Sequence, residues 1–342
     1  MKTRDLLKKI LDLDSVAIVG MEKNTGKTEV LNFIVKHLGD SSTKIGVTSI
    51  GMDGESIDQV TLTPKPEIIL REGNFFATSE RHFKEKKFLA EILEVSEIFT
   101  PLGRIVLAKA LEPGKIILTG PSTTTQVKRV IEDMIKLGAT TVLVDGAIFR
   151  LSSSSPFITD GVILATGAAL SLNKYELLKK TKHKVNLMKL PEVSQELRKK
   201  LSSVIEALWL VDDKGELEKI PMKTTLLGIG DLEEDVLKGK RIYVTGSLSE
   251  KFVRNIIQRK WKTMPEIIVR DYTKVFVSPE TLDRYFRLGG RIFVLKQVNL
   301  LAVTVNPLSP KGYKLNSEEL VGLLEKELGV PVIDVVEEGD LT

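Results

Sequence analysis

Gly20-Met21-Glu22-Lys23-Asn24-Thr25-Gly26-Lys27-Thr28 sets two glycines, two threonines and two lysines between a β-rich run and a helical one. A glycine-containing strand-to-helix turn can cradle phosphate, because consecutive backbone N–H groups and the helix N-terminus together surround the β-phosphate. Lys27 is then the point charge on the β- and γ-oxygens, and the Thr28 hydroxyl reaches Mg²⁺. The expected nucleotide-binding residues are Lys23, Asn24, Thr25, Gly26, Lys27, Thr28 and Glu29. Gly20 and Gly26 stand one residue further apart than the usual spacing, so Met21 occupies the ordinary first-glycine place. The competing reading is a simple turn with a solvated lysine.

A phosphate loop requires an acid at the end of a neighbouring buried strand to hold the magnesium's water shell. In Thr140-Thr141-Val142-Leu143-Val144-Asp145-Gly146, Asp145 fits that place, or else forms an Asp-Gly turn. Asp53, in Thr48-Ser49-Ile50-Gly51-Met52-Asp53-Gly54-Glu55, is the second candidate for metal or attacking water, against a glycine-flanked turn. Lys27, Asp53 and Asp145 thus form the expected catalytic set, with Thr28, Asp53 and Asp145 as Mg²⁺ ligands.

Other strand ends are polar. Thr119-Gly120-Pro121-Ser122-Thr123 reads as an anion site or as helix capping. Thr166-Gly167-Ala168 reads as a lining for base or substrate, or as a place for close packing. Arg150 with Ser152 to Ser155 reads as a closing loop or a solvated linker. Val244-Thr245-Gly246-Ser247 and Asn306-Pro307-Leu308-Ser309-Pro310-Lys311-Gly312-Tyr313 suit ligand or partner contacts, or are plain turns. Asn173-Lys174-Tyr175-Glu176 is not the Asn-Lys-x-Asp guanine reader, which leans the expectation from GTP toward ATP.

Composition narrows the chemistry further. The chain has 342 residues, no cysteine and three histidines (His37, His82, His183) far apart in sequence. Thiolate metal sites and cysteine nucleophiles are excluded, and a histidine-rich centre is not supported. A net charge of +4, from 50 basic and 46 acidic residues interspersed, gives no footprint for nucleic acid or anionic lipid. The longest nearly apolar stretch, Gly161 to Leu172, is well short of the roughly 20 residues needed to span a bilayer. The N-terminus reads as an amphipathic helix rather than a signal peptide, so the expectation is a cytoplasmic protein.

The elements that must position these residues alternate between β-rich runs and helical periodicity. The expected class is α/β, a three-layer phosphate-loop domain with a mostly parallel sheet plus a second, smaller α/β domain. Strands are expected at Val16 to Val19, Lys44 to Ile50, Lys115 to Thr119, Thr141 to Val144 and Gly161 to Ala165. Val127, Val130, Ile131, Met134 and Ile135 mark a helix that stops at Gly138. Pro64 to Ala110 reads as an insertion with antiparallel strands around a charged helix near Ser79 to Val95. The turn at Val211 to Glu216 suggests a boundary nearby, giving domains 1–220 and 221–342. The second carries strands at Thr225 to Leu227, Arg241 to Thr245, Ile267 to Arg270, Arg291 to Leu295, Leu301 to Val305 and Val330 to Ile333. Asn316 and Glu319 begin its last helix at capping-box spacing.

Lys23 to Thr28, Thr48 to Glu55, Asp145-Gly146-Ala147, Ser154-Ser155-Pro156 and Thr159-Asp160-Gly161 together resemble the reactivase subunit of adenosylcobalamin-dependent lysine 5,6-aminomutase. The resemblance runs over most of the chain and places it with P-loop NTPases of the SIMIBI (MinD- and BioD-like) class. It implies Mg-dependent binding and slow hydrolysis of ATP or GTP, driving conformational change in a partner, a MutS-like ATPase or the aminomutase. A homo-oligomer is the further assembly expected. The chain has no histidine in an Asp-x-His-x-x-Gly setting, so it lacks the usual lower ligand for cobalamin. The glycine spacing equally resembles dethiobiotin synthetase, an ATP-dependent carboxylate-activating enzyme. A non-hydrolysing nucleotide-binding module is the remaining reading.

Overall fold

The computed structural model describes residues 2–38, 43–51, 67–146, 154–220, 222, 224–227, 240–259 and 261–336. The chain divides into two compact units, Met1–Lys182 with Asn299–Thr342, and His183–Val298.

The first unit begins with helix α1 (Lys2–Leu11), strand β1 (Ser15–Gly20), helix α2 (Lys27–Leu38) and β2 (Ile45–Ser49). Short β3 (Ile68–Leu70), β4 (Phe75–Ser79), α3 (Glu80–Glu85), β5 (Ala90–Thr100), β6 (Gly103–Ala110) and β7 (Gly114–Ile116) follow. Next come α4 (Thr124–Lys136), β8 (Thr141–Asp145), β9 (Gly161–Gly167) and α5 (Lys174–Met188). Nine strands form one sheet in the order β18-β17-β9-β1-β8-β2-β4-β6-β5, where β17 is Leu300–Asn306 and β18 is Val332–Asp334. The seven strands from β18 to β4 are mutually parallel, and β6 and β5 continue antiparallel. The α/β class with a large, mostly parallel sheet is as the alternation predicts.

Burial explains why these residues take these conformations. β1 is buried along its whole length, the near-continuous apolar run of a central parallel strand covered on both faces. On one face, Ile18, Leu143, Ile163 and Ala165 pack with Val30, Leu31 and Ile34 of α2. On the other, Val142 and Val144 pack with Val127, Val130 and Met134 of α4. α4 is capped by the Thr123 hydroxyl, which accepts from the Gln126 N–H, and it ends at Gly138, whose φ of 107° only glycine adopts freely.

Three expectations give way here, and a fourth, the strand at Thr225 to Leu227, gives way in the second unit. The charged helix of the insertion is only α3; Ala90 to Thr100 is instead β5, the edge strand, where Glu91 and Glu97 share the exposed positions with Ile92, Val95 and Phe99. Lys115 to Thr119 is not a sheet strand: only Gly114–Ile116 is extended, and it pairs with β3 in a separate ribbon. The boundary near residue 220 is replaced by the division above, because β17 pairs with β9 and β18 with β17, so the C-terminal segment completes the first sheet.

The second unit holds α6 (Gln195–Ser202), β10 (Leu208–Asp212), β11 (Leu217–Ile220), β12 (Lys240–Val244), β13 (Leu248–Ser249), α7 (Glu250–Gln258), β14 (Glu266–Val269), β15 (Val275–Phe276), α8 (Pro279–Arg287) and β16 (Arg291–Val294). Its sheet order is β11-β10-β12-β14-β16, with β12, β14 and β16 parallel. The polar turn at Val211 to Glu216 joins the antiparallel β10 and β11 rather than marking a boundary. Thr225 to Leu227 is a 3-10 turn, held because the Thr225 hydroxyl donates to the Ser247 carbonyl and accepts from the Ser249 N–H. Among the described residues, no helix is long and apolar enough to cross a membrane.

Deleting residues 299–342 tests the assignment of the C-terminal segment, through the melting of the shortened chain followed by circular dichroism. Loss of β17 uncovers the β9 edge, so the shortened chain is expected to aggregate and to lose its cooperative transition. A cooperative transition at the full-length temperature contradicts the topology.

Candidate functional site

Strand alternation decides which side chains share a face. Leu143 packs on the α2 side of the sheet and Val142 and Val144 on the α4 side, so Asp145 at the end of β8 falls on the α2 side. The same reasoning, from Ile45 and Val47 on β2, Ile18 on β1 and Ile163 and Ala165 on β9, puts Ser49, Gly20 and Gly167 there too. In register, Asp145 pairs with Ile18 and with Ser49, Gly20 pairs with Ala165, and Gly167 pairs with Asn306 of β17. The carboxyl ends of five parallel strands therefore present Ser49, Asp145, Gly20, Gly167 and Asn306 toward the start of α2. Ligands of open α/β sheets bind at this end.

The loop from Gly20 to Thr28 is built over this row. The Met21 N–H donates to the Ala165 carbonyl (2.9 Å), continuing the β1–β9 ladder one residue further. The chain then turns, with the Thr25 hydroxyl donating to the Glu22 carbonyl (2.9 Å). Asn24 (φ 59°) and Gly26 (φ 89°) take left-handed conformations, which bend the chain sharply twice before α2 begins. Gly20 is needed for the turn, since a Cβ there would lie 2.6 Å from Thr25 Oγ1. Lys27 and Thr28 open α2 and are partly exposed, Thr25 and Gly26 are buried, and Asn24 and Glu29 face solvent. Lys23 is partly exposed.

Asp145 ends β8, beside the strand that leads into this loop. Its backbone carbonyl accepts from the Ile50 N–H (3.1 Å), and the following Gly146 N–H donates to the Ile18 carbonyl (2.9 Å). Its Oδ1 is shut away from solvent, while the residue as a whole is partly exposed. Asp53 and Arg150 lie outside the described residues. Among the described residues, no three of His, Asp and Glu cluster as a metal centre.

The remaining polar strand ends separate clearly. Thr123 is the N-cap of α4. Gly120 and Pro121 fold onto the end of β2, through Gly51 N–H to the Pro121 carbonyl (2.8 Å) and Gly120 N–H to the Gly51 carbonyl (3.3 Å). Thr166 is fully buried and its hydroxyl pairs with that of Thr181 on α5 (3.0 Å), so it faces away from the row. Gly167 serves close approach: a Cβ there would lie 2.0 Å from the Asn306 carbonyl oxygen. Asn173 caps α5, accepting from the Tyr175 and Glu176 N–H groups. Thr245 donates to the Ala207 carbonyl (2.8 Å) in the second unit, a structural bond.

Asn306 is the residue whose place the sequence did not reveal. Its loop reads as a candidate contact segment, but only the return of β17 to the first sheet brings it beside Gly26, where a Cβ would lie 3.0 Å from Asn306 Cβ. In the second unit, the most perturbed base is Lys184, stacked over the Tyr272 ring; burial pushes its ammonium down to about 8. Burial, and then Lys184 itself, lower the neighbouring His183.

Backbone crowding at the strand ends is tested with Gly167→Ala and Gly120→Ala, the latter placing a Cβ 1.5 Å from the Ser49 carbonyl oxygen. Each is expected to destabilise the protein by about 1–3 kcal/mol or more in denaturant unfolding, as overpacking does. Gly246→Ala, which meets nothing within 4 Å, is the neutral control. Wild-type stability in all three variants contradicts the described approach.

No protein-family model, curated protein or solved structure matches this chain.

Proposed function

We propose that the Gly20–Thr28 loop binds the phosphates of ATP or GTP with Mg²⁺, and that the chain hydrolyses the nucleotide slowly to drive a conformational change in a partner. The observation that carries this reading is the position of the loop: it joins a fully buried parallel strand to the N-terminus of α2, on the same side of the sheet as Asp145. The helix N-terminus leaves N–H groups without intrahelical partners, and its dipole favours an anion there. Lys27 adds a cation in the first turn.

Thr28 and Asp145 offer hard oxygen donors, the kind Mg²⁺ takes together with phosphate and water, so the residues fit that metal. When bound, Mg²⁺ neutralises charge developing on the transferred phosphoryl group. The loop amides and Lys27 orient the phosphates, Thr28 and Asp145 fix the metal side of the site, and Asp53 is assigned to the attacking water. The reactivase resemblance supplies the partner, an aminomutase or its MutS-like ATPase. Hydrolysis that requires an added carboxylate marks the dethiobiotin synthetase-like alternative instead, which the long glycine spacing favours.

The test is thermal melting of the wild type and Lys27→Ala with Mg·ATP and Mg·GTP. Nucleotide at about 100 times its dissociation constant adds roughly 2.7 kcal/mol of stability, a clear rise in melting temperature. The expected result is a shift in the wild type that Lys27→Ala abolishes. No shift with either nucleotide at millimolar concentration refutes the reading.

A further inference from the structure

Asn306 joins three pieces of backbone. Its carbonyl accepts from the Ala168 N–H (2.9 Å), which fixes the exit of β9. Its side chain lies against Gly26, where a Cβ would stand 3.0 Å from Asn306 Cβ and 3.3 Å from Nδ2. Its Oδ1 accepts from the Leu308 N–H (2.9 Å), which starts the next loop.

That loop is small and internally tied. The Leu315 N–H donates to the Pro307 carbonyl (2.9 Å), the Ser309 N–H to the Tyr313 carbonyl (2.8 Å) and the Gly312 N–H to the Ser309 carbonyl (2.9 Å). Leu308 and residues 310–314 are exposed, and only Pro307 and Ser309 of its first turn are buried. It leads directly into α9 (Ser317–Leu328), whose N-cap is Asn316. The loop thus has little packing to hold it apart from its two ends, and one end is the side chain that touches the Gly20–Thr28 turn.

We propose that Asn306 is a positioning residue that transmits occupancy of the phosphate loop to the 307–315 loop. The proposal rests on the nucleotide reading above. A phosphate seated on the amides around Gly26 fixes the backbone of that turn. Gly26 has no side chain of its own, so Asn306 packs directly on that backbone. An ordered Gly26 restricts the Asn306 amide, and the restricted Oδ1 holds the Leu308 N–H more persistently. Local opening of a loop with few buried contacts costs little, so a small restriction at its anchor changes its exchange behaviour measurably.

Hydrogen exchange of the peptide spanning 307–315 is measured in the full chain with and without saturating Mg·ATP or Mg·GTP, alongside thermal melting. The expected result is slower exchange at Leu308, Ser309, Gly312 and Leu315 with nucleotide, on the order of several-fold. Asn306→Asp keeps an acceptor for the Leu308 N–H while removing the amide that faces Gly26, and it is compared at nucleotide concentrations that give it the wild-type melting shift, so that its added charge does not stand in for lost binding. It should show wild-type exchange without nucleotide and lose the slowing with it. Asn306→Ser is the second variant, expected to lose the slowing as well. A nucleotide-dependent melting shift in the wild type with no slowing in this peptide overturns the coupling and leaves the nucleotide reading standing. Full slowing in Asn306→Asp overturns it equally. Absence of any melting shift overturns the nucleotide reading and the coupling with it.

Discussion

At the carboxyl end of the central sheet, neighbouring chain segments approach glycines at distances that leave no space for a Cβ. Gly20 faces the Thr25 hydroxyl, Gly120 the Ser49 carbonyl and Gly167 the Asn306 carbonyl, each closer than a real Cβ could stand. The approach lets the strand ends form a continuous rim instead of five separate turns. The Gly20–Thr28 loop leads from this rim into the start of α2, where helix geometry leaves N–H groups without intrahelical partners. The course of the Gly20–Thr28 loop and of the neighbouring strand ends depends on this crowding, because a single added methyl would push one strand end out of line.

The apolar layers below make the crowding affordable. β1 is buried throughout, and α2 and α4 cover opposite faces with separate clusters of aliphatic side chains. Alternation along β8 then has a functional consequence: Val142 and Val144 serve the α4 layer, while Leu143 and Asp145 serve the α2 layer. A shift of one residue in the β8 register would bury the carboxylate against α4. The position of Asp145 beside the Gly20–Thr28 turn is therefore set by packing several residues away.

Local chemistry made much of this legible in the sequence. The β1–turn–α2 unit is announced by an aliphatic run, a glycine turn and helical spacing. α4 is announced by its periodicity and by Gly138, and α9 by Asn316, whose side chain accepts from the Glu319 N–H as the capping pattern predicts. Glu319 does not complete the reciprocal half of that box, since its carboxylate pairs with Lys174. What stayed hidden was non-local. Leu301 to Val305 reads as a buried strand in any sheet, and nothing in its residues states that it pairs with β9 across more than a hundred positions. The position of Asn306 follows from that pairing alone. β5 misled for a different reason: Glu91, Glu94 and Glu97 recur at a spacing that also suits a helix face, whereas in the fold they belong to an edge strand, where charge discourages further pairing.

The most direct measurement of the central claim is a crystal structure with Mg²⁺ and a non-hydrolysable ATP analogue. The account predicts the β-phosphate within hydrogen-bond distance of the amides between Asn24 and Thr28, Lys27 Nζ on the β- and γ-oxygens, and the metal on the side of Thr28 and Asp145. Nucleotide bound elsewhere, or an empty loop at a saturating concentration of the analogue, contradicts it.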